Sequence, residues 1–476
     1  MISVREEADW VLEEFGDVEL GDRRRTDRLL EVVTRLGRRP DASFPLASAN
    51  DWATLKATYR LLENPAITHE ALLSGHVAST WERVADWGAA GEAVVLAIQD
   101  TTELDFSGHR ATSGLGQIGN AYGQGLLAHS TLACTASGVP LGLLAQAVWA
   151  RPAPSGLSKV QRKRRPVAEK ESAKWLAGLQ AVVAGRAQAG DPARLPPLVV
   201  VSDAESDVYA YFAAPRPAGV DLLVRAAQDR LTGAEKRSRV RLRALLAAQP
   251  ASPPETVVVP RHPGQPARTA HVVLRWTALT LPAPKGQHGE PVTLWAVGVQ
   301  EGDPPTGVAP LDWLLRSSVP VRTLADAQER VRWYRGRWTI EVWHHVLKSG
   351  CAFEQRQLAS AATLTRALAL YDVIAWRILY GTLLARVAPD VPCTVLLEVQ
   401  EWQALYCAVH RTTTPPSSPP SLGQAHRWLA ELGGFVGRTG DGEPGVLVLW
   451  RGLSRLVDMT YMFQVFSPAL QERKSG

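Results

Sequence analysis

The chain contains little cysteine. Its 476 residues include four, Cys134, Cys351, Cys393 and Cys407, without a CxxC pair or metal-ligand spacing. A disulfide scaffold and a zinc ribbon are therefore excluded, and a reducing cytosol fits. Residues 1–14 lack an apolar segment and carry five acidic side chains, so we expect no secretory leader.

A long, uninterrupted hydrophobic run is also absent. Residues 125–150 contain no Asp, Glu, Lys or Arg, but polar residues, Gly138 and Pro140 interrupt them. A membrane helix needs about 20 predominantly apolar residues. We therefore predict a buried β-hairpin here and no contact with a membrane.

The overall composition is that of a folded chain with a large core. Hydrophobic residues make up 46% and charged residues 21%, with 52 basic and 47 acidic side chains giving a net charge of +5. This balance excludes a mainly disordered protein, and it is compatible with a polyanionic partner. The length corresponds to about three domains.

The hydrophobic periodicity changes along the chain and divides it into five regions. Apolar residues at three- and four-residue spacing predict helices, and short β-branched runs bounded by turns predict strands. This pattern predicts an α/β fold in which helices flank a mixed sheet. The regions are helical residues 1–85, strand-containing residues 86–225, β-rich residues 226–320, helical residues 321–388 and helical residues 389–476.

Two aspartates follow predicted buried strands. Asp100 directly follows residues 93–98, and Asp203 closely follows residues 198–201. If these strands are neighbours, both carboxylates lie at one sheet edge, where ligands commonly bind. They would repel each other unless one is protonated or a divalent cation such as Mg²⁺ lies between them. The alternative is that each aspartate only forms a turn or caps a helix.

A predicted helix over residues 333–348 carries a second group of polar residues. Their spacings of three, four and seven place them on one helical face, whereas apolar residues occupy another. The polar residues are Tyr334, Arg337, Glu341 and Lys348, and the apolar residues are Ile340, Trp343 and Leu347. Such a face offers a third metal ligand between phosphate-binding donors. The alternative is a solvated face with an ordinary Arg337–Glu341 pair.

The order Tyr, Arg, Glu and Lys with these spacings resembles the signature of the insertion-sequence-four family of bacterial DDE transposases, in particular its transposon-five type. The likeness extends over nearly the whole chain. It includes residues 20–30, 97–102, 202–211 and 428–435.

This resemblance implies an RNase H-like catalytic core formed by residues 86–225 and 321–388, with the β-rich region 226–320 inserted between them. Residues 1–85 would bind the transposon ends, and residues 389–476 would mediate dimerisation. Asp100, Asp203 and Glu341 would form a catalytic triad that holds two Mg²⁺ ions, for which Mn²⁺ would substitute.

The resemblance also implies which residues contact DNA. Tyr334, Arg337 and Lys348 would hold strand phosphates, Trp313 would stack on a base flipped from the transposon end, and Arg225 would lie near the same strand. Trp313 could instead be a core residue. His345 stands where relatives often carry lysine. In the amino-terminal region the implied contacts are Arg24, Arg25, Arg28, Tyr59 and Arg60.

The implied activity is cut-and-paste transposition. Nicking, hairpin formation and hairpin opening at the terminal repeats would precede joining to target DNA, within a homodimer that holds two ends in the cytoplasm, at the nucleoid. Three alternatives remain open. They are a metal-dependent nuclease without strand joining, a non-cleaving repressor that occupies the ends, and a glycoside hydrolase with paired carboxyl groups.

Overall fold

A computed structural model describes residues 10–466 of the chain. The description leaves out several internal positions: residues 49–50, 92, 120–121, 153–155, 157, 159–160, 162–164, 167–168, 236, 238, 260–267, 286–288 and 439–440. The first nine residues of the predicted amino-terminal region and the last ten of the carboxy-terminal region therefore lie outside the described residues.

The strands occupy the middle of the chain. They are β1 (Val95–Asp105), β2 (Gly116–Ile118), β3 (Gly123–Thr135), β4 (Pro140–Trp149), β5 (Leu198–Ser202), β6 (Val220–Arg225), β7 (Leu231–Thr232), β8 (Val240–Arg241), β9 (Glu255–Val259), β10 (Arg268–Leu281), β11 (Val292–Glu301) and β12 (Asp312–Ser317). The predicted buried hairpin is confirmed, because β3 and β4 pair antiparallel across a turn at residues 136–139.

Within the described part of the chain, ten of these strands form one mixed sheet. Its order is β2-β3-β1-β5-β6-β12-β11-β10-β9, with β4 also paired to β3. Strands β3 and β4 run antiparallel to their neighbours, whereas β5 and β6 are parallel to β1. The first five core strands thus have the order β4-β3-β1-β5-β6, which is that of an RNase H-like sheet.

Helices form both ends of the chain and cover the sheet. They are α1 (Trp10–Phe15), α2 (Arg23–Arg38), α3 (Phe44–Ala47), α4 (Trp52–Glu63), α5 (His69–Ala89), α6 (Ala173–Gln188), α7 (Tyr209–Phe212), α8 (Leu242–Ala247), α9 (Leu324–Gly336), α10 (Trp338–His345), α11 (Ala361–Val387), α12 (Val399–His410), α13 (Leu422–Leu432) and α14 (Val446–Phe466). The predicted fold class is therefore confirmed.

The alternation of side chains along the central strands produces two separate hydrophobic layers. Even-numbered residues of β1, such as Leu96 and Ile98, pack in the same core as α10 and α11. Odd-numbered residues, such as Val95 and Ala97, pack with Trp175 of α6. Because Asp100 has an even number, its side chain belongs to the face that α10 and α11 cover.

The β-rich region does not form a separate sheet. Strand β12 pairs antiparallel with β6, so that β11, β10 and β9 extend the core sheet at this edge. A buried ion pair joins Arg316 in β12 to Asp207, which lies four residues after Asp203. This pair connects the β-rich region to the core sheet. Asp207 is thereby assigned a structural role, since it also accepts a hydrogen bond from the Ala227 amide.

Two expectations about local structure are wrong. Asp100 does not follow its strand, because antiparallel pairing with β3 prolongs β1 to Asp105. The helix expected over residues 333–348 is also interrupted. It breaks at Arg337, which separates α9 from α10, and it ends in a π-helical turn, Val346–Gly350. The π turn shifts Lys348 relative to the regular spacing, but its amine still reaches β1, where it donates to the Glu103 carbonyl.

Helix α11 is the one described helix whose length and composition would allow it to cross a membrane. Its most apolar window is 83% buried inside the protein, which is the property of a central core helix.

The four cysteines are all free. The expectation of a chain without disulfides is thus confirmed.

Candidate active site

Asp100 and Asp203 lie on the two central parallel strands of the sheet. Strands β1 and β5 are paired with Ile98 opposite Val201, and each aspartate lies two residues beyond this pair. Asp203 directly follows β5 and caps a short turn, where its carboxylate accepts a hydrogen bond of 2.8 Å from the Glu205 amide. The expected convergence at one sheet edge follows from this register, although Asp203 also has the cap role of the alternative interpretation.

Glu341 reaches the same edge from α10, which packs against β1. Ile340 and Trp343 are fully buried and fix the helix on the sheet, as the sequence predicts. Gly336 precedes the break between α9 and α10, and a Cβ there would lie 3.2 Å from the Leu96 side chain. A side chain at this position would therefore require the Leu96 side chain to shift by a few tenths of an ångström.

Arg337 connects Glu341 to Asp100. Its guanidinium forms an ion pair with the Glu341 carboxylate and lies 3.7 Å from Asp100 Oδ1. The side chains of Arg337 and Asp100 are each only 16% exposed, so both ion pairs are shielded from water. Arg337 is thus the counter-ion between two of the three predicted triad carboxylates.

The three carboxylates influence one another electrostatically. Burial is the main reason why the pKa of Asp100 is raised to about 7, and Asp203 and Glu341 raise it further, against the opposing effect of Arg337. Burial also raises the pKa of Asp203, and Glu205 adds to this effect. Ionising both aspartates in this partly buried place is therefore unfavourable unless a further cation accompanies Arg337.

The donor set suits Mg²⁺, but the site is not preassembled. Carboxylate oxygens are the ligands that this hard cation prefers. Among the residues that the structure describes, however, no three His, Cys, Asp or Glu side chains are grouped closely enough to hold a metal ion. The ligand type is therefore right for Mg²⁺ at Asp100, Asp203 and Glu341. In the structure, the positive charge next to Asp100 and Glu341 is the Arg337 guanidinium.

Three of the predicted DNA contacts form a separate cluster beside the carboxylates. The rings of Trp313 and Tyr334 meet edge to face, with 5.3 Å between their centroids. Arg225 forms a side-chain hydrogen bond with Tyr334, whose pKa is raised by burial. Tyr334 is buried, whereas Trp313 is half-buried at the border of the main core and Arg225 is exposed.

Lys348 and His345 lie further along the same segment. The Lys348 amine donates to the Glu103 carbonyl of β1 and lies 3.6 Å from Glu354, so it is held near the strand end. His345 is exposed, and its Nδ1 lies 3.4 Å from the Ser349 hydroxyl. The structure thus brings Lys348 to the Asp100 strand, but not into contact with Asp100 itself.

Two further residues contact the site and were missed from the sequence. His344 Nδ1 lies 3.8 Å from Asp100 Oδ2, and burial lowers the His344 pKa to about 3, so this imidazole is neutral. Lys174 of α6 pairs with Glu205 at 3.1 Å and lowers the pKa of Asp203. The position of His344, three residues after Glu341, is a signal that could have identified it.

The predicted amino-terminal DNA contacts differ in how accessible they are. Arg24 and Arg60 are exposed, on α2 and α4. Arg25 and Arg28 are half-buried and have internal partners: the Leu20 carbonyl at 2.9 Å for Arg25, and Glu31 for Arg28. Tyr59 is also half-buried, against Phe44.

The two ends of the chain match known protein families. Residues 7–67 match the family described as Transposase DNA-binding, and they include α1 to α4. Residues 373–463 match the family described as Transposase Tn5 dimerisation domain. The chain is a Tn5-like transposase. A DNA-binding domain and a dimerisation domain of this transposase therefore flank the mixed sheet.

The dimerisation match includes exposed apolar side chains on the last helix. Tyr461 and Met462 of α14 are 66% and 49% exposed. Large exposed apolar side chains close together are typical of protein–protein contact sites. The Tn5-like transposase thus has a DNA-binding end and an end that forms homodimers.

Proposed function

We propose that the chain is a DDE transposase that moves its element by a cut-and-paste reaction. Asp100, Asp203 and Glu341 would be its catalytic carboxylates, with terminal-repeat DNA and target DNA as substrates in the cytoplasm. The observation that carries the proposal is that Arg337 contacts both Glu341 and Asp100, with Asp203 at the same sheet edge, between a transposase DNA-binding domain and a dimerisation domain.

The three carboxylates would hold two Mg²⁺ or Mn²⁺ ions. When bound, such ions activate the attacking oxygen and stabilise the leaving oxygen of an in-line phosphoryl transfer. No side chain has to act as the nucleophile, because water or a DNA 3′-hydroxyl attacks. The nucleophile would be water for nicking and hairpin opening, and the freed 3′-hydroxyl for hairpin formation and for joining to target DNA.

Arg337 would have two successive partners in this reaction. Its guanidinium pairs with Glu341 and lies 3.7 Å from Asp100. A strand phosphate at the site would compete for the guanidinium, because Arg binds phosphate through two parallel hydrogen bonds. The transfer of Arg337 to the phosphate would release the carboxylates for the metal ions at the moment when substrate is present.

The Trp313, Tyr334 and Arg225 cluster would receive the distorted DNA end. A half-buried indole supported edge to face by Tyr334 presents a stacking surface for an unpaired base. Stacking on Trp313 would offset the few kcal/mol that unstacking a base costs. Arg225, exposed at the end of β6, would contact the backbone of the same strand, and Lys348 a phosphate nearer to β1.

The end domains would assemble two ends with two chains. The residues matched as a DNA-binding domain would recognise the terminal repeats, with Arg24 and Arg60 as the accessible cations. Dimerisation through the carboxy-terminal match would bring two such complexes into one synaptic complex.

The direct test incubates the protein with the terminal repeats of its own element, with and without Mg²⁺, and separates nicked, hairpin and joined products. We expect all three with Mg²⁺ and none without it. Glu341→Gln should retain end binding and lose nicking, and cleavage by this variant would remove Glu341 from the site. Nicked product without joining would favour a nuclease, and binding without nicking would favour a repressor.

A further inference from the structure

Polar side chains form a row across three strands on the sheet face that carries Asp100. In the antiparallel register, Asp100 of β1 lies opposite Ser130 of β3, and Ser130 lies opposite Gln146 of β4. Directly opposite residues share a face and have Cβ atoms about 4.5–5.5 Å apart. The row therefore begins at the predicted catalytic aspartate and runs two strands away from it.

The members of the row are joined by hydrogen bonds. Gln146 Nε2 donates to the Ser130 hydroxyl at 2.9 Å, and Gln146 Oε1 lies 2.8 Å from His69 Nε2. Burial lowers the pKa of His69, so its imidazole is neutral and donates through Nε2. His69 is the first residue of α5, two positions after the end of the DNA-binding match.

Asp372 adds a buried acid to the same row. It lies in α11 among apolar side chains, and it is completely buried. In the described residues neither of its carboxylate oxygens has a well-aligned hydrogen-bond donor, and the side chain that acts on its pKa is Gln146. Burial raises this pKa well above its usual value, so the group is a neutral acid.

A polar row whose members His69, Ser130 and Asp372 are buried, and whose Gln146 is half-buried, is costly in a core that could be apolar. Each unpaired polar group in the interior costs about 1–3 kcal/mol. Leucine or valine would suit the half-buried position 146 of β4, because the buried side chains Leu141, Leu143 and Leu144 of this strand are apolar. The row meets the active-site strand at Ser130, which is fully buried beside Asp100. Contact with the active-site strand would explain why these positions are polar.

We propose that Gln146 is a positioning residue for Asp100. It holds the Ser130 hydroxyl in place beside Asp100, and it is itself held by His69 of α5, close to Asp372 of α11. The row links the helix that follows the DNA-binding domain to the strand that bears the reacting carboxylate. This inference rests on the proposed function, because it takes Asp100 as a catalytic group.

The test compares Gln146→Leu with the matched variant Gln99→Leu. Gln99 is a buried glutamine next to Asp100 in β1, but it faces α6 on the opposite side of the sheet. With terminal-repeat DNA at saturation, we expect Gln146→Leu to nick at least roughly ten-fold more slowly, because small misplacements of reacting groups are that costly. The dissociation constant for the ends should stay within about two-fold, and Gln99→Leu should lose less than about three-fold in rate, as expected for a change that does not displace Asp100.

A conservative variant provides a rescue. His69→Gln keeps a donor towards Gln146 and should nick close to the wild-type rate, whereas His69→Leu should resemble Gln146→Leu. An unchanged nicking rate in Gln146→Leu, or an equal loss in Gln99→Leu, would overturn the inference.

Crystal structures of the wild type and Gln146→Leu test the inference without catalysis. We expect the Asp100 carboxylate to move when Gln146 is replaced, and the same Asp100 position in both crystals would overturn the positioning role. If the wild type itself does not nick terminal repeats, the proposed function fails, and the crystal comparison still decides whether Gln146 orients Asp100.

Discussion

Replacing Arg337 by methionine should change how the DNA-free protein binds divalent ions. Methionine keeps an apolar stem and removes the cation that pairs with Glu341 and lies 3.7 Å from Asp100. Two unit charges about 4 Å apart interact by about 4 kcal/mol at the effective dielectric constant of a protein surface. If about a third of this repulsion between Arg337 and the metal ion opposes binding, the substitution removes about 1.4 kcal/mol. The dissociation constant for Mn²⁺ should then fall about ten-fold.

The assay is electron paramagnetic resonance of free Mn²⁺, titrated into DNA-free protein at pH 8, where Asp100, with a pKa of about 7, is mostly ionised. Arg335→Met is the matched control, because it removes an exposed cation two residues away on α9. We expect weak binding in the wild type and in Arg335→Met, and about ten-fold tighter binding in Arg337→Met. Equal affinities in all three proteins would refute the view that Arg337 takes the place of the metal ion.

The remaining predictions concern single residues. In metal-free buffer, Asp100→Asn should have a larger free energy of unfolding than the wild type, and the difference should grow between pH 4 and pH 7, because the raised pKa of about 7 makes it unfavourable for Asp100 to lose its proton in the folded state. Urea titration should show a difference of at most ~4 kcal/mol, and a difference that does not change with pH would contradict this prediction. Glu14→Gln should lower the free energy of unfolding by about 3 kcal/mol at pH 7, because Arg83 and His76 outweigh the effect of burial and hold the Glu14 pKa at about 2. This loss should become smaller as the pH falls from 4.5 towards 2. Trp313→Ala should nick normally and accumulate before the hairpin, whereas Trp313→Phe should retain hairpin formation; normal hairpin yield from Trp313→Ala would make Trp313 a core residue.

The sequence predicted the elements that depend on local pattern. The hairpin of β3 and β4, the buried strands around residues 95–98 and 198–201, and the long helix ending at Val387 all have strong hydrophobic periodicity. The continuation of β1 to Asp105 was not predictable, because polar residues there are stabilised by pairing with β3. Tertiary pairing, which is not visible in a local window, decided that boundary.

The site was predictable in composition but not in arrangement. The spacing of Arg337 and Glu341 predicts their ion pair, which the structure contains. The break at Arg337 and the π turn at Lys348 were not predictable, because they depend on how α10 packs against β1 and α11. His344 was missed although it lies three residues after Glu341, because its contact with Asp100 depends on how α10 packs against β1.

Arg337 pairs with Glu341 and lies close to Asp100, so a metal ion at these two carboxylates would have to displace it. A preassembled metal site would allow hydrolysis of any DNA that reaches it. A site in which Arg337 must first bind a phosphate would couple metal binding to the arrival of the transposon end. The domain boundaries at residues 85, 225, 320 and 388 remain predictions, as do the DNA contacts of the amino-terminal helices.

The central claim is that Asp100, Asp203 and Glu341 share metal ions once DNA has drawn Arg337 away. The most direct measurement is a crystal structure of the protein with terminal-repeat DNA and Mn²⁺, in which anomalous scattering locates the metal. The account predicts manganese bound by all three carboxylates, with Arg337 on a strand phosphate. Manganese bound elsewhere, or Arg337 still paired with Glu341 beside bound DNA, would contradict it.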